Sequence, residues 1–335
     1  MSSYWTLDMD ALCDRICRPK KTLIVYHVRS DADAVGSAFA LRDILTSMGI
    51  PALCACADEV PDRLRFLTAS VQGSVVIEEG MELDHERVIS VDSASCEQLG
   101  SIYEKIRRDM DVMIDHHGTG TPYADNYIDP TASATGEIIY MLGKRLMERG
   151  ELSAIPHRAL NCIYAAICSD TGSFRFSNVT PRTFRIASEL LEAGVCGDEI
   201  CRALYESKSL KQIKAEGEAA RRLILHNGGR VASVTFPYSS KFSLSLSDEH
   251  LETIIDIPRA VSGVEVAFCV KQPEQNDVFR VSMRSNGDFD VAAICAKFGG
   301  GGHKRAAGCT LRARHIDEAE NAILKAIEDV IGYQI

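Results

Sequence analysis

No apolar run in this 335-residue chain approaches the ~20 residues that cross a bilayer, so no membrane span is expected. Met1 to Asp10 holds two aspartates and no basic-then-apolar pattern, which argues against a secretory signal. There are twelve cysteines but no C-x-x-C pair, and so no frame for a zinc ribbon or a dithiol redox motif. Scattered mostly through apolar stretches, they are expected to be small buried hydrophobes in a reducing compartment. The one zinc alternative, Cys54 and Cys56 with distant partners, competes with reading their run as a buried strand. Positive charge is also short: 47 acidic against 37 basic side chains leave a net charge of −10. That balance lacks the footprint for gripping long duplexes, whose binding depends on neutralising many phosphates. The expectation is a soluble cytoplasmic protein without membrane attachment, whose nucleic-acid substrate, if any, is short and held locally.

What is present is an ordinary globular composition, 46% hydrophobic and 25% charged, at a length that favours two domains. Thr6 is read as the cap of a first helix through Leu7, Leu12 and Ile16, ending before Pro19. Leu23-Ile24-Val25-Tyr26 reads as a buried strand, followed by a helical stripe from Val35 to Met48 that Gly49 stops. Further strands are read at 51–56, 88–91 and 112–114. Helices are read from Ala159 to Ser169 and through Phe184, Ile186, Leu190 and Leu191. Strands alternating with helices predict a mostly parallel sheet covered on both faces.

A segment of high helix propensity follows, and after Arg230 strand-like runs take over at 231–236, 264–270 and 278–283. A helical segment at 291–298, the glycine run Gly299 to Gly302 and a last helix over 316–331 complete the chain. The fold class is therefore α/β throughout. The expected division is a metal-binding domain over 1–196, a helical connector over 197–226 and a smaller α/β domain with a mixed sheet over 227–335.

The chemistry concentrates at strand ends. Asp115-His116-His117 closes the run Val112-Met113-Ile114, where packing alone offers no reason for imidazole and carboxylate together. His27, Asp31 and Asp33 follow the first strand, Asp92 follows Val88 to Val91, and Asp170 ends a helix. In open sheets of this kind ligands gather beyond the carboxyl ends of the strands, at a switch in strand order. Six ligands, His27, Asp31, Asp33, Asp92, His116 and Asp170, suit two ions about 3.5–4 Å apart, with Asp92 able to bridge them. Mixed imidazole and carboxylate ligation favours Mn²⁺ over Mg²⁺, with Fe²⁺ or Co²⁺ as substitutes. Such a pair would activate water for in-line attack on phosphorus and stabilise the leaving oxygen.

The set His27-x-x-x-Asp31-x-Asp33-x-x-Gly36-Ser37, Asp92, Asp115-His116-His117 and Ser169-Asp170-Thr171-Gly172 resembles the DHH phosphoesterase superfamily. Gly300-Gly301-Gly302-His303 resembles the signature of the DHH-associated carboxyl-terminal domain, so the likeness covers almost the whole chain. Domain order and the stretch from Asp170 to Asn178 are similar to the nanoRNase and 3′-phosphoadenosine-5′-phosphate phosphatase branch. The resemblance implies one ion on His27, Asp31 and Asp92 and another on Asp33, Asp92, His116 and Asp170. It implies that Asp115 orients the histidines and that His117 donates to the scissile phosphate. In the second domain it implies that Arg284, from Ser282-Met283-Arg284-Ser285, and His303 hold the terminal phosphate and base. Ser285 and the backbone of Gly300, Gly301 and Gly302 stand beside them. Arg175 and Arg305 are further candidates for phosphate. Ser30 departs from the proline more usual in the family, which would loosen the loop before Asp31 without removing a ligand.

The implied activity is a Mn²⁺-dependent phosphodiesterase that trims short RNA oligomers to mononucleotides, and that extends to 3′-phosphoadenosine 5′-phosphate. The alternative is cleavage of cyclic di-AMP or pApA. A pyrophosphatase ranks lower because that branch has a different second domain, and a non-catalytic nucleotide-binding regulator should have lost ligands that are all present. The resemblance admits a homodimer.

Overall fold

Residues 4–68, 74–76, 81 and 84–331 are described by the computed structural model, and the chain divides into two units, 1–207 and 208–335. In the first unit β1 (Thr22–Val25), β2 (Ala52–Cys56), β3 (Ser74–Val76), β4 (Arg87–Val91), β5 (Met110–Asp115) and β6 (Asp125–Ile128) form one sheet. Their order is β3-β2-β1-β4-β5-β6, and every pairing is parallel. The chain therefore steps outward from β1 in one direction to β3 and crosses back to continue from β4. The crevice beyond β1 and β4 is the switch point that the alternation of strands and helices predicts.

Side chains along these strands alternate between two cores. Ile24, Ile89, Val91, Val112 and Ile114 belong to a large apolar cluster with α1 (Met9–Ile16), α2 (Ala32–Ser47), α3 (Thr135–Glu148) and α4 (His157–Asp170). Leu23, Val25, Val88 and Met113 face the other way, onto Leu99, Ile102, Ile106 and Tyr123. Both faces are covered, as expected. Helix α5 (Pro181–Glu192) is capped by Thr180, whose side chain accepts from Thr183 N.

One expectation from the sequence is corrected, and three elements lie outside those the sequence predicts. The cap of α1 is Asp8, whose Oδ1 accepts Ala11 N at 2.8 Å, rather than Thr6. Strands β3 and β6 lie in stretches for which the sequence pattern names no element. Helix α3 was not read at all, because its apolar positions follow a run of small residues, Thr131 to Gly136, that resembles a loop.

Two glycines let α2, α3 and α4 meet closely. A Cβ on Gly36 would lie 2.6 Å from Cys162 O, and one on Gly136 would lie 2.5 Å from Ala166 Cβ. Any side chain there would separate the helices that carry the acidic residues. No helix among the described residues is long and apolar enough to cross a membrane. The twelve cysteines are free, and Cys54 and Cys56 are buried in β2.

In the second unit β7 (Leu223–His226), β8 (Val231–Phe236), β9 (Val266–Lys271), β10 (Val278–Ser285), β11 (Gly301–His303) and β12 (Ala306–Arg312) form a mixed sheet ordered β11-β12-β10-β9-β8-β7. Only β8 and β9 run parallel. Helices α7 (Val291–Ala296) and α8 (Ile316–Ile331) cover one face, and α6 (Leu210–Arg221) contributes Ala215 and Ala219 to the other. The stretch read as a helical connector divides between the units. Helical turns from Gly197 to Glu206 stay with the first, whereas α6 and the strand β7 belong to the second.

Arg87 ties α1 to the sheet. It is 1% exposed; its Nε donates to Thr22 Oγ1 at 2.7 Å, Nη2 donates to Ile16 O at 2.9 Å, and Nη1 donates to Arg15 O. These carbonyls end α1, where partial negative charge collects. Arg87→Met is therefore expected to cost about 3 kcal/mol in urea unfolding, from carbonyls left buried without a donor. A loss under about 1 kcal/mol would show that water takes the place of the guanidinium.

Candidate metal centre

Each acidic or imidazole group at the crevice is delivered by the end of an element. His27 lies two residues past β1, and Asp31 occupies the cap position of α2, where its Oδ1 accepts Asp33 N and Ala34 N at 3.0 Å. The loop before it is held despite Ser30: Arg29, at φ +54°, donates its N–H to Asp58 Oδ2 at 2.7 Å, and Ser30 is buried. Asp33 sits in the first turn of α2 and Asp170 is the last residue of α4. Asp92 directly follows β4 at φ +53°, a left-handed conformation that a non-glycine residue adopts only under local constraint. Its N–H continues the strand by donating to Ile114 O at 3.0 Å.

The groups form two clusters, linked by a third set, Asp92, His116 and His117. His27, Asp31 and Asp92 make one and Asp33, His116 and Asp170 the other, with the potential ligand atoms of each within 4.8 Å of one another. His27 Nε2 is 3.8 Å from Asp31 Oδ1 and 3.5 Å from Asp92 Oδ2. His116 Nε2 is 3.2 Å from Asp170 Oδ2 and 3.8 Å from both Asp33 Oδ2 and Asp92 Oδ1. The two oxygens of Asp92 thus face different clusters.

The imidazoles are oriented by what lies behind them. His27 Nδ1 is 2.9 Å from Val28 O and His116 Nδ1 is 3.3 Å from Ala132 O, so these nitrogens carry hydrogen and turn Nε2 to the acids. Asp115, fully buried, accepts His116 N at 2.8 Å, His117 N at 3.3 Å and His117 Nδ1 at 2.7 Å through Oδ1. His117 also approaches Asp92, at 3.8 Å, but through this same Nδ1, which its hydrogen bond to Asp115 removes from metal ligation.

Four carboxylates this close must be neutralised. Burial works against charge on His27, yet the hydrogen bonds to Asp31 and Asp92 win and its pKa rises well above the ordinary range. Burial likewise opposes charge on His116, but Asp170, Asp33 and Asp92 push it up to about 11. Burial, then the charges of Asp92 and Asp170, drives Asp33 well above the usual carboxylate range. Burial is also the main cause that lifts Asp170 to about 6. On Asp92 burial is outweighed by His27, with His116 and His117 behind it, and its pKa falls. Protons on these groups stand where cations would otherwise sit, and the donor set, imidazole nitrogen and carboxylate oxygen, fits divalent metal.

Sequence reading missed the donors that hold these carboxylates. Thr135 N donates to Asp33 Oδ2 at 2.7 Å, Gly136 N donates to Asp33 Oδ1 at 2.9 Å, and Thr135 Oγ1 donates to Asp92 Oδ1 at 2.9 Å. Asn178 Nδ2 donates to Ser133 O at 2.9 Å and to Asp170 O at 3.0 Å. The available signal was a Thr-Gly pair opening the amphipathic run Ile138, Ile139, Leu142 and Leu146.

The candidates in the second unit are arranged by strand register. Ala306 pairs with His303 on one side and Arg284 on the other, so the three backbones share one row across β11, β12 and β10. Arg284 Nη1 donates to Met283 O at 2.9 Å, and burial pushes its pKa down. Ser285 is 2% exposed and its hydroxyl lies 3.1 Å from Gly287 O. The second half of the glycine run, Gly301 and Gly302, opens the strand β11. A Cβ on Gly300 would lie 2.2 Å from Gly308 O, and Gly302 has φ +139°. Arg175 Nε donates to Gly172 O at 2.6 Å, and Arg305 Nη2 is 3.6 Å from Asp288.

A divalent cation held by His27, His116, Asp33 and Asp170 would displace protons from groups whose pKa values are all raised. Because all four pKa values lie above their ordinary ranges without the ion, binding releases protons, and affinity rises with pH and falls as pH drops. Titration calorimetry with Mn²⁺ in buffers of different ionisation heat is expected to show proton release and weaker binding at about pH 6 than at about pH 8. Equal affinity at both would mean that these groups are not the ligands.

Comparison with known proteins follows the same division of the chain. The DHH family, N-terminal domain, matches residues 21–167, and the DHHA1 domain matches residues 232–332. The bifunctional oligoribonuclease and PAP phosphatase NrnA of Thermus thermophilus is 29% identical over 311 residues, 91% of this chain and 89% of that protein. NrnA of Bacillus subtilis is 29% identical over 312 residues, 90% of this chain and 92% of that one. An exopolyphosphatase-related protein from Bacteroides fragilis has the same fold, with a TM-score of 0.86 at 22% identity, covering 96% of this chain and 95% of its own. Matched in sequence by one domain model over the crevice-bearing sheet and by the other over the mixed sheet, the chain carries a DHH-family N-terminal domain over 21–167 and a DHHA1 domain over 232–332.

Proposed function

We propose that this chain is a two-metal phosphodiesterase that hydrolyses short oligoribonucleotides to mononucleotides and 3′-phosphoadenosine 5′-phosphate to AMP, with Mn²⁺ as its ion. The observation that carries the reading is Asp92, which turns Oδ2 toward His27 at 3.5 Å and Oδ1 toward His116 at 3.8 Å. A carboxylate shared between two clusters is the arrangement that paired ions require. Similarity to NrnA along nine-tenths of the chain supports the substrate class.

In this reading His27, Asp31 and Asp92 hold one ion, and Asp33, Asp92, His116 and Asp170 hold the other. When bound, the ions supply activation of water and stabilisation of charge at phosphorus. Asp115 fixes the His117 ring through Nδ1, which leaves Nε2 as the nitrogen that donates to a phosphate oxygen. Burial opposes the charged form of His117, but Asp115 outweighs it and raises the pKa, which favours a donor. Arg284, His303 and the backbone of Gly300 to Gly302 take the terminal phosphate, which gives the second unit the choice of substrate and the first the chemistry. Chain ends then bind better than chain interiors, and the acidic surface offers long RNA no further grip.

The deciding assay gives the full chain with Mn²⁺ a panel of pApA, di- to pentanucleotides, cyclic di-AMP, 3′-phosphoadenosine 5′-phosphate and pyrophosphate. Mononucleotides from the short oligomers are expected, with Asp92→Ala abolishing turnover because it disturbs both ions. Preference for cyclic di-AMP would move the protein to the other reading, and turnover of pyrophosphate alone would overturn both. His303→Ala is expected to slow pApA by about 10- to 100-fold, as for one lost charged hydrogen bond. It should spare bis-p-nitrophenyl phosphate, which needs only the ions. Equal losses on both substrates would show that His303 supports the metals instead.

A further inference from the structure

Helix α3 begins without a cap of its own. Ala134 stands in the cap position with extended backbone, φ −162° and ψ 157°, and no side chain there accepts a hydrogen bond. The first N–H groups of a helix need acceptors, and here they find one on another helix: Asp33 of α2 takes Thr135 N on Oδ2 and Gly136 N on Oδ1. Ser37 Oγ also donates to Asp33 Oδ1 at 2.8 Å. Both lone pairs of Oδ1 are thereby used, and Oδ2 keeps one, on the atom that faces His116.

Thr135 reaches a second carboxylate as well. Its hydroxyl donates to Asp92 Oδ1 at 2.9 Å, and the residue is completely buried, so water has no access to replace it. Rotation of the Asp92 carboxylate about its last bond would exchange its two oxygens between the clusters. A single donor on Oδ1, from a β-branched side chain at a helix start, opposes that rotation. The hydrogen bonds of Thr135 go to carboxylates and not to the imidazoles. Its N–H and its hydroxyl instead hold one acid of the second cluster and the acid common to both.

We propose that Thr135 is the positioning residue that couples the two ion sites, its N–H bonding to Asp33 Oδ2 and its hydroxyl holding Asp92 in its bridging orientation. The inference rests on the two-ion reading above and adds to it a residue outside the ligand set. Thr135→Val removes the hydroxyl but keeps the shape and the N–H, and Thr135→Ser restores the hydroxyl. Mn²⁺ binding is measured by calorimetry on the full chain, with thermal unfolding of the ion-free protein as the control. Wild type should bind two ions. Thr135→Val should weaken binding by about 10- to 100-fold, the usual effect of removing a group that orients a ligand, and Thr135→Ser should recover it. With pApA, kcat should fall while KM changes little, since the substrate contacts remain.

Two ions in wild type with unchanged affinity in Thr135→Val would overturn the role of Thr135 and leave the function standing. Fewer than two ions in wild type would overturn the two-ion reading and the inference with it. Thr135→Ala repeats the test should valine not fold. Loss of the fold in both would assign Thr135 to the helix junction and overturn the inference too.

Discussion

The acceptance of the first two N–H groups of α3 by the Asp33 carboxylate is the contact on which the first unit turns. It joins the helix that follows β1 to the helix that follows β6, directly above the switch in strand order. A carboxylate at a helix start is favoured by the partial positive charge there, which offsets part of the cost of burying it. The contact requires α2, α3 and α4 to approach more closely than side chains allow, and Gly36 and Gly136, both against Ala166, provide that approach. Packing and site geometry are therefore one problem in this fold.

Electrostatics imposes the rest. Asp31, Asp33, Asp92 and Asp170 converge on one crevice, and without a cation they repel one another through a poorly solvated interior. The protein answers with His27 and His116, whose Nδ1 atoms are tied to Val28 O and Ala132 O and whose Nε2 atoms face the acids, and with Asp115, which holds His117 Nδ1. Left-handed backbone at Asp92 belongs to the same solution. The strand must end and turn its last carboxylate into the crevice within one residue, and the strain is held by a backbone bond to β5 and a hydroxyl bond from α3.

The second unit works by register instead of by helix ends. Pairing through Ala306 sets Arg284 and His303 in one row, and Gly301 and Gly302 open an edge strand against β12. Bulk at Gly300 or Gly302 would strike the backbone of that neighbour, so this run of small residues is a requirement of close strand approach. A phosphate group meeting such an edge would find backbone N–H groups without side chains in the way.

Period and chemistry were legible along the chain. Short β-branched runs alternating with apolar stripes predict the parallel sheet, and carboxylates and imidazoles at strand ends stand out because no core has a use for them. The resemblance of the DHH triplet and the glycine-histidine run to a family added the pairing of ligands with ions. Three-dimensional contact alone decided what holds them. Thr135 and Gly136 sit in a stretch of small residues that looks like a loop, and Asn178 and Asp58 bond to Ser133 and Arg29, 45 and 29 positions away. Strands β3 and β6 and helix α3 were hidden for the same reason, since short or weakly patterned segments take their structure from the neighbours they pair with. Ligand identity is a property of side-chain chemistry, which a sequence displays directly. Ligand orientation depends on hydrogen bonds between residues such as Asp33 and Thr135, about a hundred positions apart, and these exist only once the chain has folded.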